Sequence, residues 1–174
     1  MKGVDMPMLD FFGVDPGLHT TGVVHLAVDT TARELQVHHE AIVGAVDHVR
    51  SVHWFINDKL DNVARKKRCR IFVEKFRERG NNYSQDDKMR VLVSKMHKEL
   101  YKNELIDNTG VKKVVKRPLK ETLGLFNFPT THHRDLEAAA NIMVYGMLKD
   151  DKLNELLSNI VEDSIYGYHW KVVT

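Results

Sequence analysis

Up to Val43 the apolar residues of this chain fall in short strand-like runs, and from Val46 onward they fall at helical spacing. That switch restricts the fold to a sheet begun by consecutive strands and completed by alternating helices and strands. Residues 8–14 form the first apolar run, which stops at Asp15-Pro16-Gly17, the pattern of a strand entering a turn. Residues 21–28 are rich in β-branched side chains, and the short connection through Pro16-Gly17-Leu18-His19-Thr20 predicts an antiparallel hairpin. Residues 34–43 predict a third strand and hence an opening meander.

The later elements follow from the helical period. Val49, Val52, Phe55, Ile56 and Leu60 predict a helix with Asp47 near its start and Arg65-Lys66-Lys67 near its end, charges that suit the two poles of the helix dipole. Residues 70–73 carry Ile71, Phe72 and Val73 in sequence, as expected of a strand buried on both faces, and Glu74 stands at its end. Ser84-Gln85-Asp86-Asp87 reads as the cap and first turn of a helix holding Met89, Leu92, Val93, Met96 and Leu100. Residues 111–116 predict a fifth strand, which Pro118 ends. Thr130 or Thr131 is expected to cap a last main helix with Leu136, Ala139, Ala140, Met143, Met147 and Leu148 on one face. A short helix over residues 153–161 then precedes an aromatic tail. The expectation is a single α/β domain spanning residues 1–174, a mixed five-stranded sheet flanked by helices, with a core of about residues 8–149 and a C-terminal helix and tail over 150–174.

Composition narrows the function classes. No apolar run approaches the ~18 residues of a membrane helix, and residues 1–10 lack a signal-peptide pattern, so an intracellular protein without a membrane partner is expected. The single Cys69 begins an apolar run and is expected to be a buried thiol. A net charge of +2 gives no whole-protein polyelectrolyte, but positive charge is dense over residues 65–70, 75–79 and 112–120. Each such run is either a phosphate-binding patch or a solvated loop.

Three acids stand where strands and helices end: Asp15 after the first strand, Glu74 after the fourth, and Asp135 in the first turn of the last main helix. Crossover connections can bring strands one and four side by side, and ligand sites form at strand ends. The face of Asp135 also carries Ala138, Ala139 and Ile142, small or apolar residues that suit close packing on a sheet. A carboxylate there needs a proton or a cation. Three converging carboxylates without cysteine ligands favour Mg²⁺ or Mn²⁺ over structural zinc. Each acid also has an ordinary reading: a turn residue for Asp15, a surface acid for Glu74, a helix-start charge for Asp135. His132, three residues before Asp135, is either a ligand or proton carrier, or a capping or surface histidine.

Phe12-Gly13-Val14-Asp15-Pro16-Gly17 followed by Thr21-Gly22 resembles the opening motif of the RuvC-type Holliday-junction resolvases. Ile71-Phe72-Val73-Glu74 resembles their second acidic motif, and His132-His133-Arg134-Asp135 before Ala138-Ala139-Ala140 resembles their last, in which the residue three before the final aspartate is Asp or His. The resemblance spans roughly residues 9–148. It implies an RNase H-like fold, a homodimer, two divalent cations (Mg²⁺ or Mn²⁺) and hydrolysis of phosphodiesters at four-way DNA junctions. Asp15, Glu74, His132 and Asp135 would be the catalytic, metal-holding residues. Asn81 or Asn82 with Ser84 echoes the polar loop after the glutamate. Bacterial members carry an aromatic residue three positions after the glutamate; Arg77 stands there, with Phe76 and Tyr83 as possible substitutes, a departure that suits a viral or organellar branch. DNA contacts are expected from Arg77, Arg79, Asn81, Tyr83, Ser84, Lys112, Lys113, Lys116 and Lys120. Two other readings stay open: a nuclease of the same fold acting on other branched or hybrid nucleic acids, and a non-catalytic DNA-binding module.

Overall fold

The computed structural model describes residues 8–78 and 83–174. Strands β1 (Leu9–Asp15), β2 (Thr20–Asp29) and β3 (Glu34–Val43) form the expected antiparallel meander. Strand β4 (Arg70–Glu74) lies parallel to β1, with Val14 opposite Val73, so the first and fourth strands are neighbours as expected. Strand β5 (Asn103–Ile106) adds parallel to β4 with Ile106 opposite Glu74. Strand β6 (Lys171–Val173) adds parallel to β3 at the other edge. Among the described residues the mixed sheet is therefore six-stranded, in the order β5-β4-β1-β2-β3-β6.

Alternation along the strands divides the core in two. Helices α1 (His48–Lys59), α2 (Val63–Arg68) and α3 (Tyr83–Glu99) cover the face that carries Phe12, Val14, Val23, Ile71 and Val73. Cys69 is buried with them, as expected. On the opposite face, α6 (His133–Leu148) lies against Phe11, Val24, Leu26 and Phe72. Behind and beside it pack α4 (Val111–Val114), α5 (Arg117–Thr122) and α7 (Asp151–Ile165).

Helix α6 approaches the sheet closely because glycines face it. A Cβ on Gly13 of β1 would lie 2.1 Å from the Ala139 carbonyl oxygen, and one on Gly22 of β2 would lie 2.3 Å from that of Asp135. Farther along the helix, its own Gly146 lies against the Phe72 ring of β4. The helix thus crosses β2, β1 and β4 in turn, and the crossing fixes its first turn over the end of the meander.

Several sequence expectations need correction. The fifth strand is not residues 111–116 but Asn103–Ile106; Val111 opens a short helix instead, with Val111 and Val115 buried and Val114 exposed. That spacing of four is helical, and the β-branched composition alone had suggested a strand. Gly110, with φ of 81°, makes the turn from β5 into α4. The long helix expected up to Arg65-Lys66-Lys67 is two helices: α1 is capped by Asp47 and ends at Lys59, and Asn62 caps α2. The cap of α6 is His132 rather than Thr130 or Thr131, and its side chain makes no capping bond. Helix α7 spans 15 residues, longer than the expected 153–161.

Candidate active site

Asp15 ends β1 and Glu74 ends β4, and the two strands pair in parallel with Val14 opposite Val73. Strand alternation places Asp15 on the face of Phe11 and Gly13, and Glu74 on the face of Phe72. Both therefore point to the side occupied by α6. Across the hairpin Asp15 lies opposite Gly22, whose missing side chain leaves room for the Asp135 backbone at the start of α6. The three acids read from the sequence thus come from three separate elements to one end of the sheet.

Their chemistry shows in Asp15, whose carboxyl is pushed up to about 9. Burial is the largest cause, followed by a hydrogen bond and charge repulsion with Glu74 and then by the charge of Asp135. Asp15 and Glu74 are in hydrogen-bond contact, whereas Asp135 acts on Asp15 through its charge. Among the described residues none of the three carboxylates has an ion pair with Lys or Arg. His132 Nδ1 lies 3.9 Å from Asp135 Oδ2, too far for a hydrogen bond, with both side chains about one-third exposed.

A cleft of about 790 Å³ opens over these strand ends, between Asp15, Pro16, Leu18 and Glu74 on one side and Met89 and Val93 of α3 on the other. Phe76 lines it beside Arg77. Asn108 also lines it and donates from Nδ2 to Glu74 Oε1 at 2.6 Å. Asn108 was missed from sequence because β5 was placed too late. With β5 at Asn103–Ile106, Asn108 stands two residues past the strand that flanks Glu74.

The donor set fits a hard divalent cation: carboxylate oxygens, one imidazole nearby, no thiol, and a buried Asp15 crowded by two further acids. Among the described residues, no three His, Cys, Asp or Glu side chains are grouped as a ready ion cage.

The basic residues divide. Lys112, Lys113 and Lys116 are exposed on and just beyond α4, next to the turn that carries Asn108. Lys120 is not available as a phosphate ligand: it is 6% exposed, and its Nζ donates to Glu137 at 2.8 Å. Arg77 is exposed but engaged with Asp107 and with the Thr109 hydroxyl. In the earlier basic run, Arg65 is bound to buried Asp10, and Arg70 to Glu104 and Asp150. That run is therefore no continuous phosphate patch. Arg79 and Asn81 lie outside the described residues, and Tyr83 and Ser84 begin α3 with side chains that are likewise outside them. Among the described residues no helix is long and apolar enough to cross a membrane.

No protein-family model and no curated protein matches the sequence. Solved structures do match. Thermus thermophilus RuvC in complex with a Holliday junction substrate aligns with a TM-score of 0.50 at 18% identity, over 78% of this chain and 90% of that one. The fowlpox virus resolvase in complex with Holliday junction DNA aligns with a TM-score of 0.47 at 14% identity, over 87% of this chain and 99% of that one. With its mixed sheet, its β1–β4 neighbours and its helix α6 laid across them, the chain has the RNase H-like fold of the RuvC-type resolvases.

Proposed function

We propose that the chain is a divalent-metal-dependent endonuclease that hydrolyses phosphodiesters in four-way DNA junctions. The observation that carries this reading is the convergence of Asp15, Glu74 and Asp135 at one end of the sheet, with the Asp15 carboxyl pushed up to about 9 by burial first and then by Glu74 and Asp135. Such crowding is costly for a purely structural site and is what a site for hard cations requires. The preference for junctions rests on the shared fold with RuvC, which was solved on a Holliday junction substrate.

Divalent cations bound there would supply a nucleophilic water and neutralise charge on the leaving oxygen. Asp15, between the other two acids, would hold them centrally, with Glu74 and Asp135 on either side. His132, with Nδ1 3.9 Å from Asp135 Oδ2, would act beside that carboxylate as a further ligand or a proton carrier. The protonated Asp15 must give up its proton when a cation takes the site, so uptake should be weaker in acid. Two symmetric cuts need two such sites, and a homodimer would provide them.

Incubating the protein with Mg²⁺ and a labelled four-way junction, a flap and an RNA–DNA hybrid tests the reading. The expected result is cleavage of the junction well above the other two, abolished by EDTA. Equal or better cleavage of the hybrid or flap would move the activity to another branch of the fold; Mg²⁺-independent binding without cleavage would indicate a binding module.

Lys112, Lys113 and Lys116 would hold the DNA backbone beside the cleft. Replacing Lys112 by Ala should reduce the slope of log affinity against log salt by about 0.9, the contribution of one phosphate contact. Lys120→Ala should leave that slope unchanged, since Lys120 is engaged with Glu137. Fluorescence anisotropy over a salt series measures both.

A further inference from the structure

The turn after β5 is held by several contacts, and one of its side chains reaches inward to Glu74. Ile106 pairs with Glu74 across the sheet, and its carbonyl accepts from the Lys75 backbone at 2.8 Å. The chain then turns. Asp107 Oδ1 accepts from the Thr109 backbone at 2.8 Å and from the Thr109 hydroxyl at 2.5 Å. Arg77 reaches across from the segment after β4 to Asp107 at 2.9 Å and to Thr109. From α6, Tyr145 donates its hydroxyl to the Thr109 carbonyl at 3.0 Å. These contacts join the Glu74 side of the cleft to the helix that carries Asp135.

Between Asp107 and Thr109 stands Asn108, with Nδ2 2.6 Å from Glu74 Oε1. A carboxylate can only accept, so the amide must present its NH₂ group to it. A glutamate side chain has several free torsions, and a fixed donor reduces the entropy lost in ordering it.

We propose that Asn108 is a positioning residue for Glu74: its amide holds Oε1 and so orients the carboxylate toward the proposed cation site. Arg77 and Tyr145 are then braces of the turn. This assignment gives Arg77 a defined task at the position where the RuvC-type pattern has an aromatic residue. The proposal rests on the metal-nuclease reading above.

Its test uses the intact protein and Mn²⁺ alone, titrated by calorimetry, beside junction cleavage and thermal melting. Asn108→Ala removes the donor, and Asn108→Asp keeps the shape without it. Both should weaken Mn²⁺ binding and lower kcat about 10–100-fold, the usual loss when an outer partner of a metal ligand is removed. KM for the junction should stay within about twofold, because the DNA contacts are untouched. Tyr145→Phe removes a brace while keeping the ring, and should give a smaller loss in the same direction. If either Asn108 variant fails to fold, Tyr145→Phe decides.

Wild-type Mn²⁺ affinity in folded Asn108→Ala and Asn108→Asp overturns the proposal. So does a loss that appears only in KM. Wild-type protein that binds Mn²⁺ but cuts no junction overturns the nuclease reading alone, since the Asn108 effect on Mn²⁺ is still read. Wild-type protein that binds no Mn²⁺ overturns both.

Discussion

Asp15→Asn should abolish cleavage and at the same time make the metal-free protein more stable. The loss of activity is expected on the order of 10³-fold, about 4 kcal/mol of barrier, because the residue placed centrally in the proposed cation site loses its charge. The gain in stability follows from the raised carboxyl. A group held near 9 in the folded protein against an ordinary 3.8 contributes stability that is full below about 4 and is lost as pH rises through 9. Between about pH 4 and 9 the wild-type site therefore carries a growing penalty that the neutral amide does not share. A gain of roughly 1–2 kcal/mol is expected for such a relieved active-site strain. It should raise the melting temperature by about 2–8 °C for a chain of this size. The difference should be larger at pH 9 than at pH 5, where Asp15 is already protonated. Melting curves in EDTA at the two pH values, beside junction cleavage in Mg²⁺, measure the pair of effects. A variant equally active, or less stable at both pH values, contradicts the description of the site.

Arg65→Ala should be strongly destabilising, through a buried polar cluster on the other face of the sheet. Asp10 of β1 is 2% exposed and receives two hydrogen bonds from Arg65, at 2.6 and 2.9 Å. It also receives one from His25 Nε2 at 2.8 Å. Burial alone would push the Asp10 carboxyl up, but the hydrogen bonds from His25 and Arg65 outweigh it, and Asp10 sits below its ordinary 3.8. Its contribution to stability is therefore present above that value and lost as acid carries the pH through the folded one. His25 is buried and held below its ordinary 6.5, chiefly by burial, so it is neutral. With its Nε2–H given to Asp10, its Nδ1 must accept from His38 Nδ1 at 3.1 Å, which fixes both tautomers. Phe12 stacks on the His25 ring at 4.5 Å. Removing Arg65 leaves Asp10 buried and short of its charged partner, which costs about 3–5 kcal/mol. The melting temperature should fall by about 6–20 °C. Adding Asp10→Asn to Arg65→Ala should recover part of the loss, because the stranded charge is then gone. Urea denaturation of the three proteins at pH 7 reads this directly; a loss under 1 kcal/mol would show that the pair is dispensable.

The positions of the acids in the fold were legible in the sequence and the surroundings of the basic residues were not, for a physical reason. Asp15, Glu74 and Asp135 sit at element ends, and element ends follow from local patterns: an apolar run stopping at Pro16-Gly17, a three-residue apolar strand, a helical stripe of small residues. The parallel pairing of β1 and β4 could be anticipated from chain order. The fate of a lysine or arginine depends on what lies opposite it in space. Nothing in Lys112-Lys113 distinguishes them locally from Lys120, yet only Lys120 turns inward to Glu137. Arg65 likewise finds its partner 55 residues away. The β5 error has the same origin: Leu105-Ile106 is a very short run, and its pairing with β4 outweighs the stronger local signal of the valines that follow. Asn108 became visible only once that strand was in its correct place.

The site as a whole is tested most directly by a crystal structure with Mn²⁺, located by its anomalous scattering. The prediction is manganese at the ends of β1 and β4, touching Asp15 and shared with Glu74 and Asp135, with the Asp15–Glu74 hydrogen bond broken to admit it. Manganese bound only elsewhere, with that hydrogen bond intact at saturating metal, would contradict it.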